Sequence, residues 1–535
     1  MKDLFVHLYK TRFNVILGIV VIALGGVAWQ NRFIQDDAFI SFRYADHFAK
    51  GYGLVWNPGE HIEGYTNFLW TLLLGVGIHF GIEPILLSQL LGMSFFVICL
   101  IATYKLSSVL FTSNNLGLLS ICVLGTNYTF SSYATGGLET QMQAALFILM
   151  CYYCLSVYIS QTWNQNKLII LSLLSAAAIL TRPDSLLVCA FIFLFTILSI
   201  RNNSTTVQQL ISPFTILILP IVIIIGGWCI WKLHYYGDIL PNTFYVKAGT
   251  VSLDSSGAIY CYRFFTSYLL FPIFFIIFFS LRKFREQMDE RILSLGVIVC
   301  AWCSYIVSIG GDFMEFRFFV PIYPLIAIIC LWLIFIVLQQ RIIRIIMTLI
   351  LLGGTLHHWS MFTYNTEEGI ETIEMLQGHL VNNDEQWITI GKVLGSTFNY
   401  DSTVRIATTA SGAIPYYSKL QTIDMLGMND RWVARNGYQI SDIPGHQRIA
   451  TCRYLLDRQV HLVISHPTVL RLSERITQIP LVPREPDDDV SQATIVEIPI
   501  DKEYKLIAIY LLPHPTIEKA IKDYHWKVHP IATQR

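Results

Sequence analysis

The sequence is poor in charged side chains. Asp, Glu, Lys and Arg make up 14% of its 535 residues, whereas 54% of the residues are hydrophobic; soluble domains carry about a quarter charged residues. The net charge is zero and the positive charges form no large cluster, which argues against a nucleic-acid partner. Internal repeats and low-complexity linkers are also lacking. These deficits predict a polytopic membrane protein.

Cysteines are scarce outside the apolar segments, where Cys452 is the one exception among eleven. The pairs Cys151 and Cys154, and Cys300 and Cys303, have a spacing found in zinc and redox sites. Neither pair has histidine or charged neighbours, which favours small apolar helix residues over ligands. The sequence therefore indicates no disulfide framework.

The first apolar run covers residues 14–29 and follows three positive charges. A cleaved signal peptide would look similar, but Gly26 to Ala28 resemble a cleavage site poorly, and the rest of the chain must still cross the membrane. We therefore predict an uncleaved first span. The positive-inside rule then places the N-terminus in the cytoplasm, and Asp36 and Asp37 outside.

About eleven spans are predicted from runs of about 20 apolar residues and the positions of Lys and Arg. Besides the first run, they lie near 85–106, 116–133, 140–160, 168–181, 186–200, 209–232, 263–281, 292–309, 318–338 and 342–360. The aromatic stretch from Tyr65 to Phe80 is short and is interpreted as an interfacial or re-entrant helix. Residues 1–360 thus form a membrane domain with an outer loop at 32–84.

The composition becomes more polar after Ser360. Residues 361–535 alternate helix-like stretches (372–379, 384–394, 446–456) with β-branched runs (404–408, 461–464, 494–498, 505–511). This pattern predicts a soluble α/β domain. An odd number of spans delivers it outside the cytoplasmic membrane.

Asp36 and Asp37 are adjacent carboxylates at the mouth of a predicted span. A charge there needs water, a cation or a positive partner, because burial of an unpaired carboxylate in hydrocarbon costs several kcal/mol. Either residue alone fits an N-cap for the amphipathic stretch from Ala38 to Lys50. The functional alternative makes one of them a general base toward a hydroxyl, while the other orients that hydroxyl or binds a cation.

Further polar candidates lie in the same loop. Arg43 and Asp46 fall on successive turns of one short helix and are spaced to pair. Glu63 follows a Pro-Gly turn, where a carboxylate is either solvated or functional. Asn67 closes this polar stretch and is included as a substrate-binding candidate.

Later predicted outer links carry the remaining candidates. Glu139 follows a double glycine where a span begins, a position that also suits a helix N-terminus. Arg182 and Asp184 straddle Pro183 and form either a structural pair or part of a site. Asp312 and Arg317 lie in GGDFMEFRFFVP, residues 310–321 (the 310–321 motif). An arginine at the outer membrane boundary either binds a phosphate through two guanidinium N–H groups or extends toward the lipid headgroups.

Two functional classes fit a membrane protein with these residues. A transporter or flippase is expected to carry ionisable residues near mid-span. The predicted spans are nearly free of charge in their middles, so chemistry at the membrane surface is favoured. An aspartate beside an arginine suits transfer from a lipid phosphate-linked sugar.

Five stretches resemble the GT-C superfamily of polyprenyl-phosphate-sugar glycosyltransferases, and in particular the terminal β-(1→2)-arabinofuranosyltransferase of mycobacterial arabinogalactan and its Gram-negative relatives. They cover residues 36–74, TGGLET at 135–140, TRPD at 181–184, the 310–321 motif and residues 410–430. The resemblance implies an inverting transferase with Asp36 or Asp37 as base and a donor phosphate pocket at Arg317 and Asp312. Because other GT-C enzymes often bind a divalent cation near such an acidic pair, the resemblance also suggests a cation site at Asp36 and Asp37.

The same resemblance implies the donor, the acceptor and the location. The donor is a polyprenyl-phosphate sugar, such as arabinofuranose, and the acceptor is a cell-envelope glycan or a lipid-linked molecule, in the inner membrane of a bacterium. Ser411 and Glu315 depart from the family pattern: relatives carry an acid more often at the first, and the second adds negative charge near the phosphate pocket. The alternative function is an inactive relative that binds lipid-linked sugar in envelope or motor assembly.

Overall fold

Apolar helices dominate the chain up to residue 362. The computed structural model describes residues 2–160, 164–202, 208–247, 256–362, 369–441, 445–485 and 488–531. The helices of the membrane part are α1 (Lys2–Gln30), α2 (Asp36–Ala49), α3 (Phe68–His79), α4 (Pro84–Phe111), α5 (Asn114–Thr126), α6 (Tyr128–Ser132), α7 (Thr140–Ser160), α8 (Gln165–Thr181), α9 (Ser185–Asn202), α10 (Gln208–Tyr236), α11 (Asn242–Lys247), α12 (Ser256–Ser267), α13 (Phe271–Phe274), α14 (Ile276–Phe279), α15 (Leu281–Gln287), α16 (Glu290–Ser308), α17 (Tyr323–Trp332) and α18 (Arg341–Phe362). A 3₁₀ helix (Arg317–Ile322) precedes α17 and a π-helical turn (Leu333–Val337) follows it.

Seven described helical segments are long and apolar enough to cross a membrane. They are the part of α1 from Arg12, then α4, α7, α10, α16, the run Arg317–Val337 around α17, and α18. The run Arg317–Val337 is 83% buried and forms the centre of the bundle, whereas α10 is only 6% buried. An apolar helix with so little buried surface faces lipid in a membrane protein.

Each of the eleven predicted spans coincides with an apolar helix or helix pair, although four are irregular. The span predicted at 263–281 bends by 87° between α12 and α13–α14, where Leu269 has a positive φ of 53°. Those at 116–133, 168–181 and 186–200 form the shorter helices α5, α8 and α9. Pro183 follows the end of α8 and disfavours its continuation. The stretch at 65–80 contains the 12-residue α3, too short to span a bilayer.

The C-terminal domain, described over residues 369–531, is built around a mixed sheet. Its elements are α19 (Ile373–Val381), α20 (Trp387–Thr397), β1 (Arg405–Thr408), α21 (Ala413–Ser418), β2 (Gln421–Asp424), α22 (Arg431–Asn436), β3 (Tyr438–Gln439), β4 (Arg448–Ile449), α23 (Cys452–Asp457), β5 (Leu462–Arg471), β6 (Thr494–Pro499), β7 (Tyr504–Tyr510), α24 (Pro515–Asp523) and β8 (Lys527–Pro530). The six-stranded order is β2-β1-β5-β7-β6-β8; β1 runs parallel to β2 and β5, and the other pairs are antiparallel.

One predicted helix of this domain is wrong in its first half. The stretch 446–456 contains strand β4, which pairs with β3, and the helix α23 begins only at Cys452. The reason is local: the side chain of Thr451 accepts a hydrogen bond from the amide of Tyr454 and so caps a new helix there. The eleven cysteines of the chain are all free thiols.

The C-terminal domain docks on the loop at 32–84. The helices α19 and α21 pack against α2. The amide of Asn57 donates to the carbonyl of Thr422 over 2.9 Å, and the hydroxyl of Tyr44 donates to Asn429 over 3.2 Å. These bonds join segments more than 360 residues apart, so the loop and the domain form the two sides of one site.

Candidate functional site

A cavity of about 300 Å³ lies between the loop at 32–84, the 310–321 motif and the C-terminal domain. Asp36, Asp37 and Arg317 line its membrane-side wall. The opposite wall comes from the C-terminal domain and includes Glu371, His379, Trp387, Ser411 and His466. The structure therefore brings the two predicted aspartates and the predicted arginine together around one cavity.

Asp36 is the first residue of α2 and caps a different helix. Its Oδ1 accepts the amide of Ala413 over 2.7 Å, and its Oδ2 accepts the amide of Gly412 over 3.0 Å, at the start of α21. The N-cap of α2 itself is Gln35, which makes no side-chain capping bond. Burial raises the pKa of Asp36 to about 7, although the hydrogen bonds from the two amides lower it. The negative charge of Asp37 adds to the rise. Asp36 is thus fixed by the C-terminal domain.

Asp37 lies beside Arg317, the only arginine on the described cavity wall. The Nε of Arg317 is 2.7 Å from Oδ2 of Asp312, and both side chains are buried, with 8% and 6% exposed. The charges of Asp312 and Asp37 both stabilise the arginine cation. Asp312 and Arg317, both expected at a donor phosphate pocket, form an ion pair, and Arg317 presents its guanidinium to the cavity.

A second buried network lies behind this wall. Arg182 contacts Glu139 over 2.8 Å and Asp184 over 2.8 Å, and the amide of Asn67 donates to Glu139 over 2.7 Å. The guanidinium carbons of Arg182 and Arg317 lie 5.5 and 5.3 Å from the ring centre of Phe318. Four predicted residues thus form one network, which supports the wall carrying Arg317.

Arg43 points away from the cavity and is held by internal contacts. Its Nε donates to the carbonyl of Trp56 over 2.7 Å, and its Nη2 donates to the carbonyl of Leu420 over 2.8 Å and to Asn57 over 3.1 Å. Its Nη1 donates to the carbonyl of Pro415. The spacing predicted an Arg43–Asp46 pair, but Asp46 instead pairs with Lys50 and Lys419.

Glu63 also lies outside the cavity lining. Its Oε2 is 2.7 Å from the Nζ of Lys232 at the end of α10, and the two side chains are 4% and 1% exposed. Burial raises the pKa of Glu63 to about 7, although the positive charge of Lys232 acts to lower it. Lys232 was not singled out from the sequence, because its partner lies 169 residues earlier along the chain.

The two departures from the family pattern have structural explanations. Glu315 is 1% exposed, and its carboxylate contacts His358 over 2.9 Å, the hydroxyl of Thr129 over 3.1 Å and the amide of Ile373 over 2.9 Å. Its charge is therefore directed away from Arg317. Ser411 lines the cavity and hydrogen bonds to the buried Asp424, which supplies a carboxylate near this position.

A divalent cation at Asp36 and Asp37 stays a prediction. Each oxygen of Asp36 accepts one amide hydrogen, and a cation of this kind takes several oxygen ligands. Across the described ranges, no group of three or more His, Cys, Asp or Glu side chains is arranged to hold a metal ion.

The bundle and its C-terminal domain define an integral membrane protein with the GT-C fold, which confirms the predicted fold class. The structure of ArnT from Cupriavidus metallidurans bound to undecaprenyl phosphate matches with a TM-score of 0.52 and 10% identity, covering 94% of this chain and 100% of that chain. The apo oligosaccharyltransferase of Archaeoglobus fulgidus matches with a TM-score of 0.50 and 9% identity, covering 86% and 69%.

Sequence comparison points to the same superfamily. The chain is 26% identical over 270 residues to the terminal beta-(1->2)-arabinofuranosyltransferase of Mycobacterium tuberculosis, which covers 47% of this chain and 40% of that protein. The match thus spans less than half of the length of this relative. Residues 376–528 match a domain of unknown function, DUF8728. The predicted resemblance to GT-C glycosyltransferases is confirmed.

Proposed function

We propose that this protein is a glycosyltransferase that moves a sugar from a polyprenyl-phosphate donor to a cell-envelope glycan or lipid-linked acceptor. The observation that carries the proposal is the cavity in which Asp37 and Arg317 lie together within a GT-C fold. A relative of this fold is described with bound undecaprenyl phosphate, which supports a lipid-phosphate donor.

In the proposed mechanism Arg317 binds the donor phosphate, and Asp37 is the general base. The acceptor oxygen forms a bond to the anomeric carbon while the bond from that carbon to the phosphate oxygen breaks. The acceptor proton passes to Asp37, and the phosphate leaves with the bonding electrons on the side of Arg317. A single displacement of this kind inverts the anomeric centre, and positioning with charge stabilisation supplies most of the acceleration.

We assign the base to Asp37 because its charge acts on Arg317, which places it next to the proposed phosphate site, whereas Asp36 binds the amides of Gly412 and Ala413. Asp36 then acts as a positioning residue that holds the C-terminal domain against α2. The second buried network, of Asn67, Glu139, Arg182 and Asp184, fixes the wall behind Arg317.

Arabinofuranose is the sugar that the curated relative favours. The proposed setting is a bacterial inner membrane, with a cytoplasmic N-terminus and the cavity on the outer side. A polyprenyl donor fits this setting, because its hydrocarbon chain stays in the bilayer while its phosphate meets Arg317 near the membrane boundary.

The test is sugar transfer by purified protein in nanodiscs, from a panel of radiolabelled polyprenyl-phosphate sugars to envelope glycan. Asp37→Asn is expected to lower kcat by about 10²–10⁴-fold, the usual contribution of a general base. Undecaprenyl phosphate binding is expected to survive, because Arg317 is retained.

Asp489→Asn is the matched control, since Asp489 is an exposed carboxylate that accepts hydrogen bonds from the amide and the hydroxyl of Ser491. Wild-type activity in Asp37→Asn would overturn the assignment of the base. Retention of lipid-linked sugar by the wild type without transfer from any donor would instead support the inactive sugar-binding relative.

A further inference from the structure

The wall that the C-terminal domain contributes to the cavity contains a carboxylate in a fixed position. Glu371 donates its amide to the carbonyl of Phe313 over 2.6 Å, and its carbonyl accepts the amide of Glu315 over 3.0 Å. This pair of bonds forms an isolated parallel bridge between residue 371 and the 310–321 motif. Glu371 is therefore held in register with the segment that carries Arg317, although it belongs to the other wall.

The side chain of Glu371 is held by a relay of charged groups. Its Oε2 is 3.0 Å from Nε2 of His379, and Nδ1 of His379 is 3.5 Å from Oε1 of Glu385. The ring of His379 stacks on Trp387, with ring centres 4.8 Å apart and planes inclined by 12°. Burial lowers the pKa of His379, but the bonds to Glu371 and Glu385 outweigh burial and raise it to about 10.

The charge of this relay disfavours an anion. One imidazolium faces two carboxylates, so the relay carries a net negative charge, and the exposed fraction of the Glu371 side chain is 34%. On the opposite wall Arg317 offers a guanidinium. A phosphate in this cavity is therefore expected at the Arg317 guanidinium, and not beside the Glu371 carboxylate.

The other groups on the Glu371 wall suit an uncharged polar molecule. Burial lowers the pKa of His466, so this ring is neutral at pH 7 and offers one donor and one acceptor. The ring of Trp387 adds apolar surface on this wall, and the ring of Phe313 adds more from the 310–321 motif, to which Glu371 is hydrogen bonded. Apolar walls with a few fixed polar groups are typical of sites for small uncharged ligands.

We propose that this wall is the acceptor subsite and that it takes an uncharged, hydroxyl-bearing group such as a neutral sugar. Glu371 accepts a hydrogen bond from an acceptor hydroxyl, and His379 with Glu385 holds Glu371 in place. This inference rests on the proposed function, because an acceptor is meaningful only for a transferase. It adds the chemical class of the acceptor and a residue that binds it.

The experiment compares Glu371→Gln with Glu374→Gln in the nanodisc transfer assay, with neutral envelope oligosaccharide as acceptor. Glu374 is the matched control, because it is an exposed carboxylate three residues away on α19. Glu371→Gln is expected to raise the KM for the oligosaccharide by about tenfold or more, as for the loss of a charged hydrogen-bond partner. The KM for the donor and the binding of undecaprenyl phosphate are expected to stay at wild-type values.

An unchanged acceptor KM in Glu371→Gln would overturn the inference while leaving the proposed function standing. Better transfer to an anionic envelope polymer than to the neutral oligosaccharide would overturn the acceptor class. If the wild type transfers no sugar, calorimetric titration with the same oligosaccharide decides: weaker binding by Glu371→Gln supports the subsite, and equal binding refutes it. Glu371→Asp, which keeps the charge, is expected to recover part of the affinity.

Discussion

Arg43 shows how one residue type supports two functions. Arginine suits phosphate because its planar guanidinium offers several donors, and Arg43 follows Asp37 by six residues on the same helix. The structure uses the same fork to bind backbone carbonyls of the loop at 32–84 and of the C-terminal domain. The guanidinium carbon of Arg43 lies 5.0 Å from the ring centre of Trp56, so the charged group is also packed against an aromatic side chain.

Arg43→Lys is expected to destabilise the protein by about 2 kcal/mol or more. A single lysine ammonium cannot reach all of the carbonyls that the guanidinium binds, so buried carbonyls are left without donors. Denaturant unfolding in detergent, followed by tryptophan fluorescence, measures this change. At a temperature where the variant is folded, its affinity for undecaprenyl phosphate should equal that of the wild type. A selective loss of that affinity would instead place Arg43 in the donor site.

The sequence was most informative where partners are close in the chain. Arg182 and Asp184 are two residues apart, so an ion pair was one of two interpretations that the sequence offered, and the structure contains that pair. Glu371, His379 and Lys232 gave no such signal, because their roles depend on contacts made by the folded chain. The role of Asp36 as a cap of α21 depends on residues 376 and 377 positions away.

The loop at 32–84 and the C-terminal domain meet at the start of α21. Gly412 has no side chain, and a Cβ there would lie 2.0 Å from the main-chain oxygen of Asp36 and 2.6 Å from its carboxyl carbon. The turn can therefore approach α2 closely enough for two amides to reach one carboxylate. β-branched runs predicted β1, β6 and β7 well, but the short strands β2 and β8 lacked that signal.

Gly412→Ala is expected to lower the free energy of unfolding by about 1–3 kcal/mol, the usual cost of an overpacked contact. It should also reduce transfer, because Asp37 adjoins the displaced residue. Gly227→Ala in α10 is the control, since a Cβ there meets no atom within 4 Å. Equal stability and activity of the two variants would show that the cavity tolerates a wider separation of α2 and α21.

The whole molecule is predicted to have one orientation in the membrane. On the proposed topology the cavity and the C-terminal domain lie on the outer side, and the positive residues of α15, including Arg282 and Lys283, lie on the cytoplasmic side. The buried pair of Glu63 and Lys232 joins α10, the least buried of the seven long apolar segments, to the loop at 32–84.

A reporter that is active only outside the cytoplasm is expected to be active when fused after Arg535. The same reporter is expected to be inactive when fused after Gln287, at the end of α15. Reporter activity in bacterial cells measures both fusions, and a reporter active only in the cytoplasm provides the reciprocal control. Activity after Gln287 would reverse the predicted orientation.

The contact of Asp36 with Gly412 and Ala413 also has a consequence for biosynthesis. Translation supplies both aspartates in the first tenth of the chain, and Arg317 before two thirds are complete. The wall with Glu371 and the amides that hold Asp36 emerge later, and on the proposed topology they cross the bilayer before they dock. If the proposed function holds, a nascent chain inserted in the membrane meets its lipid donor well before it can use it, and catalysis begins only after translocation of the C-terminal domain.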